Sequence, residues 1–189
     1  PVVAAQMSCD KHVVKMILES AQMLCTVKRV LDGTEYTDLT KNGRKIKRWR
    51  LENSNLEQTI YKAGWLGHPS TQWVMASAYN YIWLYKHMMA LNEEYKLRYN
   101  HTKDHMCVQK LGDVLSTPPL NAPINVQGTD ATPAMPDECK VPGDSVASYR
   151  KYYIMKKNRF ATWKNKLPPQ WYSEGCIKYL GGSVANADL

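Results

Sequence analysis

The sequence predicts an all-α protein, a single domain around one long central helix with long basic and proline-rich loops. Three observations carry that prediction. Apolar residues recur at helical spacing across residues 2–31, and a second such stripe runs from Pro69 to about Tyr99. Between residues 115 and 144 stand six of the 10 prolines, which mark an extended surface loop. A length of 189 residues with 44% hydrophobic content suits one domain with a real core.

The first helix is placed by Val13, Ile17, Ala21 and Leu24, which follow one another at four- and three-residue steps, with Asp10 in position to cap it. Residues 32–64 are polar and punctuated by Gly33, Gly43 and Gly64, and read as a long basic loop or a short hairpin. His68 and Pro69 open the central helix, and Trp73, Ser77, Tyr81, Leu84, Met88, Leu91 and Tyr95 give it a continuous packing face to about Tyr99. Asp144 and Ser145 cap a third helix from Val146 to Asn158. A basic-aromatic segment follows: Arg159, Phe160, Trp163, Lys164, Lys166, Trp171 and Tyr172. The domain is expected to span residues 1–180, with a loose tail over 181–189, and no internal repeat is visible.

The formal net charge of +8 points to a polyanionic partner. It is also segregated. Residues 41–50 hold six Lys or Arg and no acid, and residues 145–189 hold eight against Glu174 and Asp188. A membrane surface is disfavoured, because no helix joins a basic face to a strongly apolar one. The stretch from Trp73 to Leu91 is too polar to cross a bilayer. The opening residues do not read as a signal peptide. The five cysteines form no CxxC pair and read as reduced thiols of a cytoplasmic protein. His101, His105 and Cys107 lack a second ligand pair, so no metal is expected.

The first helix has a second face. His12, Lys15, Glu19, Gln22 and Thr26 fall within an arc of about 80° opposite the apolar stripe. A carboxylate is thereby flanked, one turn each way, by a cation and an amide. A solvated helix face carries the same pattern, so periodicity alone leaves both readings open.

Asp10-Lys11-His12-Val13-Val14-Lys15-Met16-Ile17-Leu18-Glu19, followed by Gln22-Met23-Leu24, resembles the first helix of the phage and bacterial pyrimidine-dimer DNA glycosylases, the endonuclease V family. Gly67-His68-Pro69, Trp73, Tyr81 and Glu94-Tyr95 through Arg98-Tyr99 resemble that family's central helix, and Trp163 through Pro168-Pro169-Gln170-Trp171-Tyr172 its aromatic C-terminal segment. The resemblance implies a helix-borne carboxylate, here Glu19, working with the chain's own α-amine, here that of Pro1. The amine attacks the sugar carbon that bears the damaged base, and the resulting imine permits β-elimination of the 3′ phosphate. An α-amine titrates near pH ~8 rather than ~10.4, so a usable neutral fraction exists at neutral pH. Where the family carries arginines just before the carboxylate and three residues after it, this chain has Leu18 and Gln22.

The expected function is therefore a DNA glycosylase with associated AP-lyase activity on damaged or modified pyrimidines in double-stranded DNA, with neither metal nor cofactor. His12, Lys15, Gln22, Arg44, Lys45, Lys47, Arg48, Arg50 and Lys164 are expected to meet the nucleic acid, with Trp171, Tyr172 and Trp163 stacking on exposed bases. The alternatives are a non-catalytic nucleic-acid-binding protein on the same scaffold, of the kind a phage particle carries, and an RNA-binding accessory protein. His68 either caps the central helix or reaches the site.

Overall fold

The computed structural model describes residues 1–181, and the tail expected to be loose lies, from residue 182 onward, outside them. Helix α1 (Val2–Met7) leads through an extended Ser8 (φ −66°, ψ 140°) into α2 (Asp10–Asp32). Asp10 does not cap α2 with its side chain. Cys9 occupies the cap, and the Asp10 carboxylate turns aside to accept from Thr162 Oγ1 at 2.9 Å and from the Lys164 backbone N–H.

The chain is not all-α. Among the described residues eight α-helices are joined by a two-stranded antiparallel sheet, β1 (Thr34–Leu39) with β2 (Lys45–Arg50), paired from Thr34↔Arg50 to Leu39↔Lys45. Of the two forms the sequence allows for residues 32–64, the short hairpin is the one found, and the basic run supplies its turn and second strand. Gly43, at φ 72°, supplies the left-handed turn that closes the hairpin, and Trp49 is its buried anchor. A short helix α3 (Ser54–Thr59) follows.

The expected continuous central helix is also broken. It divides into α4 (Pro69–Met75) and α5 (Ala78–Tyr99) at an extended Ser77, whose Oγ accepts from Tyr79 N–H and donates to Val126 O. Capping satisfies α5's first donors and ties the break to the proline-rich loop, which offsets the lost helical continuity. His68 caps α4, its Nδ1 accepting from Ser70 N–H at 3.2 Å. Helix α6 (Met106–Leu115) and helix α8 (Gln170–Leu180) are additional to the helices the sequence reading places. Helix α7 (Ser145–Tyr152) is capped by Asp144, as expected, and continues into a π-turn over Tyr153–Lys157.

The main core is the packed seam of α2 and α5, with Val13, Ile17, Ala21 and Leu24 against Tyr81, Leu84, Met88 and Leu91, closed by Leu111 and Leu115 of α6. A smaller core gathers Cys9, Ile154, Trp163, Tyr172 and Cys176. The cysteines Cys9, Cys25, Cys107, Cys139 and Cys176 are buried and unbridged. Among the described residues no helix is long and apolar enough to cross a membrane.

Two buried arginines fasten these layers. Arg98, 1% exposed, spends all its N–H donors on Glu94, Asp10 and the carbonyls of Ser8 and Gln6. Lys166 adds a contact to Glu94 at 3.2 Å, so α1, α2, α5 and the C-terminal segment meet at one charged node. Arg29 does the same at the other end of α2, donating to Glu57 and to the carbonyls of Trp49, Glu57, Ile60 and Tyr61.

Candidate functional site

The outer face of α2 is oriented by its inner one. Because Val13, Ile17, Ala21 and Leu24 are driven into the seam, Lys15, Glu19 and Gln22 are turned away from α5. Lys15 Nζ lies 2.9 Å from Glu19 Oε1, and the Glu19 side chain is 38% exposed. Gln22 is exposed, but Thr26 leaves the face: it is buried and bonds the Gln22 and Gly64 carbonyls.

His12 is partly buried. Its Nδ1 shares a hydrogen bond with the Tyr153 hydroxyl, and its ring stands edge-on to Tyr153 at 5.0 Å and tilted to Phe160 at 5.8 Å. Burial lowers its pKa to about 4, helped by the positive charges of Lys157 and Lys15 and opposed by Glu19. His12 is therefore neutral at pH 7. Burial also pushes the Tyr153 phenol well above its ordinary range, so this hydrogen bond joins two uncharged groups.

Cations from two distant segments converge around these rings. Lys11 Nζ lies 5.1 Å from the Phe160 centroid, Lys157 Nζ 5.9 Å and the Arg159 guanidinium 6.0 Å. Lys157 also sits 4.5 Å over Tyr152. The result is a surface patch of Lys11, Lys15, Lys157 and Arg159 beside a neutral imidazole, with Glu19 one turn beyond Lys15 and ion-paired to it. Of the residues gathered here, Lys157 and Tyr153 are not singled out by sequence reasoning. Their signal is the alternation of aromatic and basic residues over 149–160, which shows its purpose only once that stretch is laid across the start of α2.

Other expected site residues are dispersed. The Pro1 carbonyl accepts from His87 Nδ1 at 3.2 Å on the flank of α5, where His87 stacks on Trp83, and no hydrogen bond or ion pair joins Pro1 to Glu19. On the hairpin Arg44 and Lys45 are exposed, Lys47 pairs with Glu35 at 2.9 Å, Arg48 Nη1 donates to Ala63 O, and Arg50 lies 4.9 Å over Tyr36. Lys164 sits 5.6 Å from the Tyr99 ring. Tyr172 and Trp163 pack on each other at 4.6 Å inside the smaller core, so neither presents a free ring to a base. Their apolar area is better satisfied against Ile154 and Cys176 than in water. Trp171 is partly exposed; with Arg150, Lys166 and Gln6 it lines a cleft of about 560 Å³.

His101 stacks on Tyr95 at 4.5 Å, and His105 caps α6, its Nδ1 accepting from Cys107 N–H. Among the described residues no three His, Cys, Asp or Glu side chains converge as metal ligands. Leu18, Tyr95, His101 and Lys110 line a second cleft of about 710 Å³. Glu19 lines neither cleft.

Comparison of the chain with protein-family models, curated proteins and solved structures finds no match.

Proposed function

We propose that this chain is a DNA glycosylase with associated lyase activity on damaged or modified pyrimidines, working across the outer face of α2. The observation that supports this most is the amine–carboxylate pair of Lys15 and Glu19, 2.9 Å apart and open to solvent within a cationic patch. Breaking a glycosidic bond develops positive charge on the sugar, which a fixed carboxylate stabilises. Lys11, Lys157 and Arg159 can neutralise the flanking phosphates, and phosphate contacts of this kind fix register without reading sequence. A neutral His12 adds no charge of its own and leaves the Glu19 carboxylate unpaired by a second cation from that side.

In this scheme an unprotonated amine bonds to the sugar C1′, and the base departs with the bonding electrons and takes up a proton. The ring opens to an imine, and loss of the C2′ proton expels the 3′ phosphate. Glu19 is the group placed to move those protons. Lys15 touches it and Pro1 does not, so Lys15 is the better-placed amine; it becomes the nucleophile by handing its ion-pair proton to Glu19, which passes it to the departing base. Reaction with a duplex carrying a thymine dimer or an abasic site, in the presence of borohydride, tests this. The expected result is a reduced protein–DNA adduct on the peptide holding Lys15. Adduct on another amine keeps the enzyme and moves the nucleophile, whereas duplex binding without adduct on either substrate ends the catalytic reading.

That last result would leave a nucleic-acid-binding protein without catalysis. One observation favours it: Glu19 stands on an open face outside both clefts, where water is not excluded.

A further inference from the structure

We propose that the β1–β2 hairpin is a rigid two-stranded arm that enters the major groove of duplex DNA through Lys41, Arg44 and Lys45 at its tip. This rests on the DNA-binding part of the reading above and is independent of its chemistry.

The six cations of residues 41–50 divide into two sets. Three are spent within the fold. Lys47 pairs with Glu35, Arg48 donates to Ala63 O, and Arg50 lies over Tyr36. The other three, Lys41, Arg44 and Lys45, are exposed, and none forms an ion pair with a described carboxylate. The nearest acid on the ribbon, Asp38, is turned back to accept from Leu39 N–H at 2.8 Å.

The tip stands clear of the domain but is internally fixed. Nothing lies within 4 Å of a Cβ built on Gly43. The turn is held by Thr40 N–H to Arg44 O at 2.8 Å, Gly43 N–H to Thr40 O at 2.9 Å and Arg44 N–H to Thr40 Oγ1 at 3.1 Å. The root is locked. Trp49 is buried, Arg29 holds its carbonyl at 3.1 Å, and a Cβ on Gly33 would meet Arg29 O at 2.5 Å and Trp49 Cβ at 3.2 Å. A bound arm so built loses little conformational freedom.

The dimensions match one kind of partner. Six paired residues span about 20 Å, and the major groove of B-DNA, about 12 Å wide, admits a two-stranded ribbon. Among the described residues no third strand pairs with the ribbon; Leu39 N–H is taken by Asp38 and the Trp49 carbonyl by Arg29, so the tip's side chains are what meet the groove walls. The deep, narrow major groove of A-form RNA does not admit such an arm. Lysines on an exposed strand also discourage edge-to-edge association, and that simpler role predicts self-association rather than lost DNA binding when they are removed.

The test is fluorescence anisotropy of the full chain with a 20-base-pair DNA duplex, and with an RNA duplex of the same sequence, over a range of salt. The variants are Lys41→Ala/Arg44→Ala/Lys45→Ala and, separately, Lys47→Ala. The triple variant is expected to bind DNA at least ~10-fold more weakly, with the salt slope reduced by about 2–3 units, while Lys47→Ala changes little. Guanine N7 methylation should weaken the wild type more than the triple variant, because N7 lies in the major groove. Unchanged DNA affinity and slope in the triple variant, self-association as its only change, or equal wild-type affinity for duplex RNA would each overturn the arm. In those cases wild-type DNA binding still supports the broader reading. A wild type that binds no duplex DNA would overturn both.

Discussion

The patch on α2 and the tip of the hairpin are both exposed and cation-rich, yet they are built on opposite plans. The tip is local: Lys41, Arg44 and Lys45 lie within one turn, and their placement needs only the strand pairing and the glycine that closes it. The patch is non-local. Lys11 and Lys15 come from the start of α2, and Lys157 and Arg159 from beyond α7; they meet because the Arg98 node and the smaller core clamp the two segments together. Along α2, Lys15 and the hairpin's departure point at Gly33 are about 27 Å apart. One helix thus joins a tip whose cations form no ion pair with a described carboxylate to a patch that mixes carboxylate, amine and neutral imidazole.

The comparison predicts different fragilities. The largest effect belongs to Arg98→Ala, which strands the Glu94 and Asp10 carboxylates in the interior. It should cost about 3–5 kcal/mol in denaturant unfolding. It should also free the C-terminal segment to proteolysis at concentrations where the wild type resists. Native-like stability in Arg98→Ala would mean that the patch does not depend on the node.

Next in size is Gly175→Ala. Its added methyl would sit 2.2 Å from Ile154 Cδ1 in the smaller core, so about 1–3 kcal/mol of stability should be lost. A neutral result would show that the core beneath the patch can rearrange.

Acid should act on the same side of the molecule. Burial first, then Lys157 and Lys15, lower His12 to about 4 from the ordinary 6.5. Burial likewise lowers His87 to about 4. A histidine held neutral in the fold but free to charge when unfolded stabilises above the unfolded value. That stability is lost as pH falls from about 6.5 through about 4. Each of the two should remove about 2–3 kcal/mol between pH 7 and pH 4, read from thermal or denaturant midpoints. In His12→Gln the loss should be visibly smaller, and an identical acid profile would place His12 outside the account.

The smallest effect is expected at the tip. Alanine at Lys41, Arg44 or Lys45 should change stability by no more than about 0.5 kcal/mol, since none of them is buried. A larger change would show that the hairpin tip supports the fold and weaken the contrast.

The same contrast explains what was legible in the sequence. The α2 stripe, the Asp144 cap and the proline-rich crossing are local patterns, and all three appear where the spacing puts them. For residues 32–64 the sequence leaves a long loop and a short hairpin both open, because only Trp49 on β2 is buried and the strand lacks the apolar alternation of a half-buried strand. The break at Ser77 was hidden for a different reason. Trp73, Ser77 and Tyr81 keep a four-residue spacing through it, and only the hydroxyl's capping bonds mark the division. Helix α6 had a readable period in Cys107, Val108, Leu111 and Leu115, which the preceding histidines obscured. Glu19 and its neighbours were legible as one helical face, but Lys157, Tyr153 and Phe160 were not. Their contact with that face is set by Asp10 and Arg98 across the fold, far from them in sequence.

The central claim is that Glu19, on the non-local patch, does chemistry. The direct measurement compares wild type with Glu19→Gln on an abasic-site duplex. It reads the borohydride-trapped adduct under single turnover and DNA affinity in the same buffer. The account predicts that the trapping rate falls by roughly 10²-fold or more while affinity stays within a few-fold. Equal trapping by the two proteins, or no trapping by a wild type that binds the duplex, would contradict it.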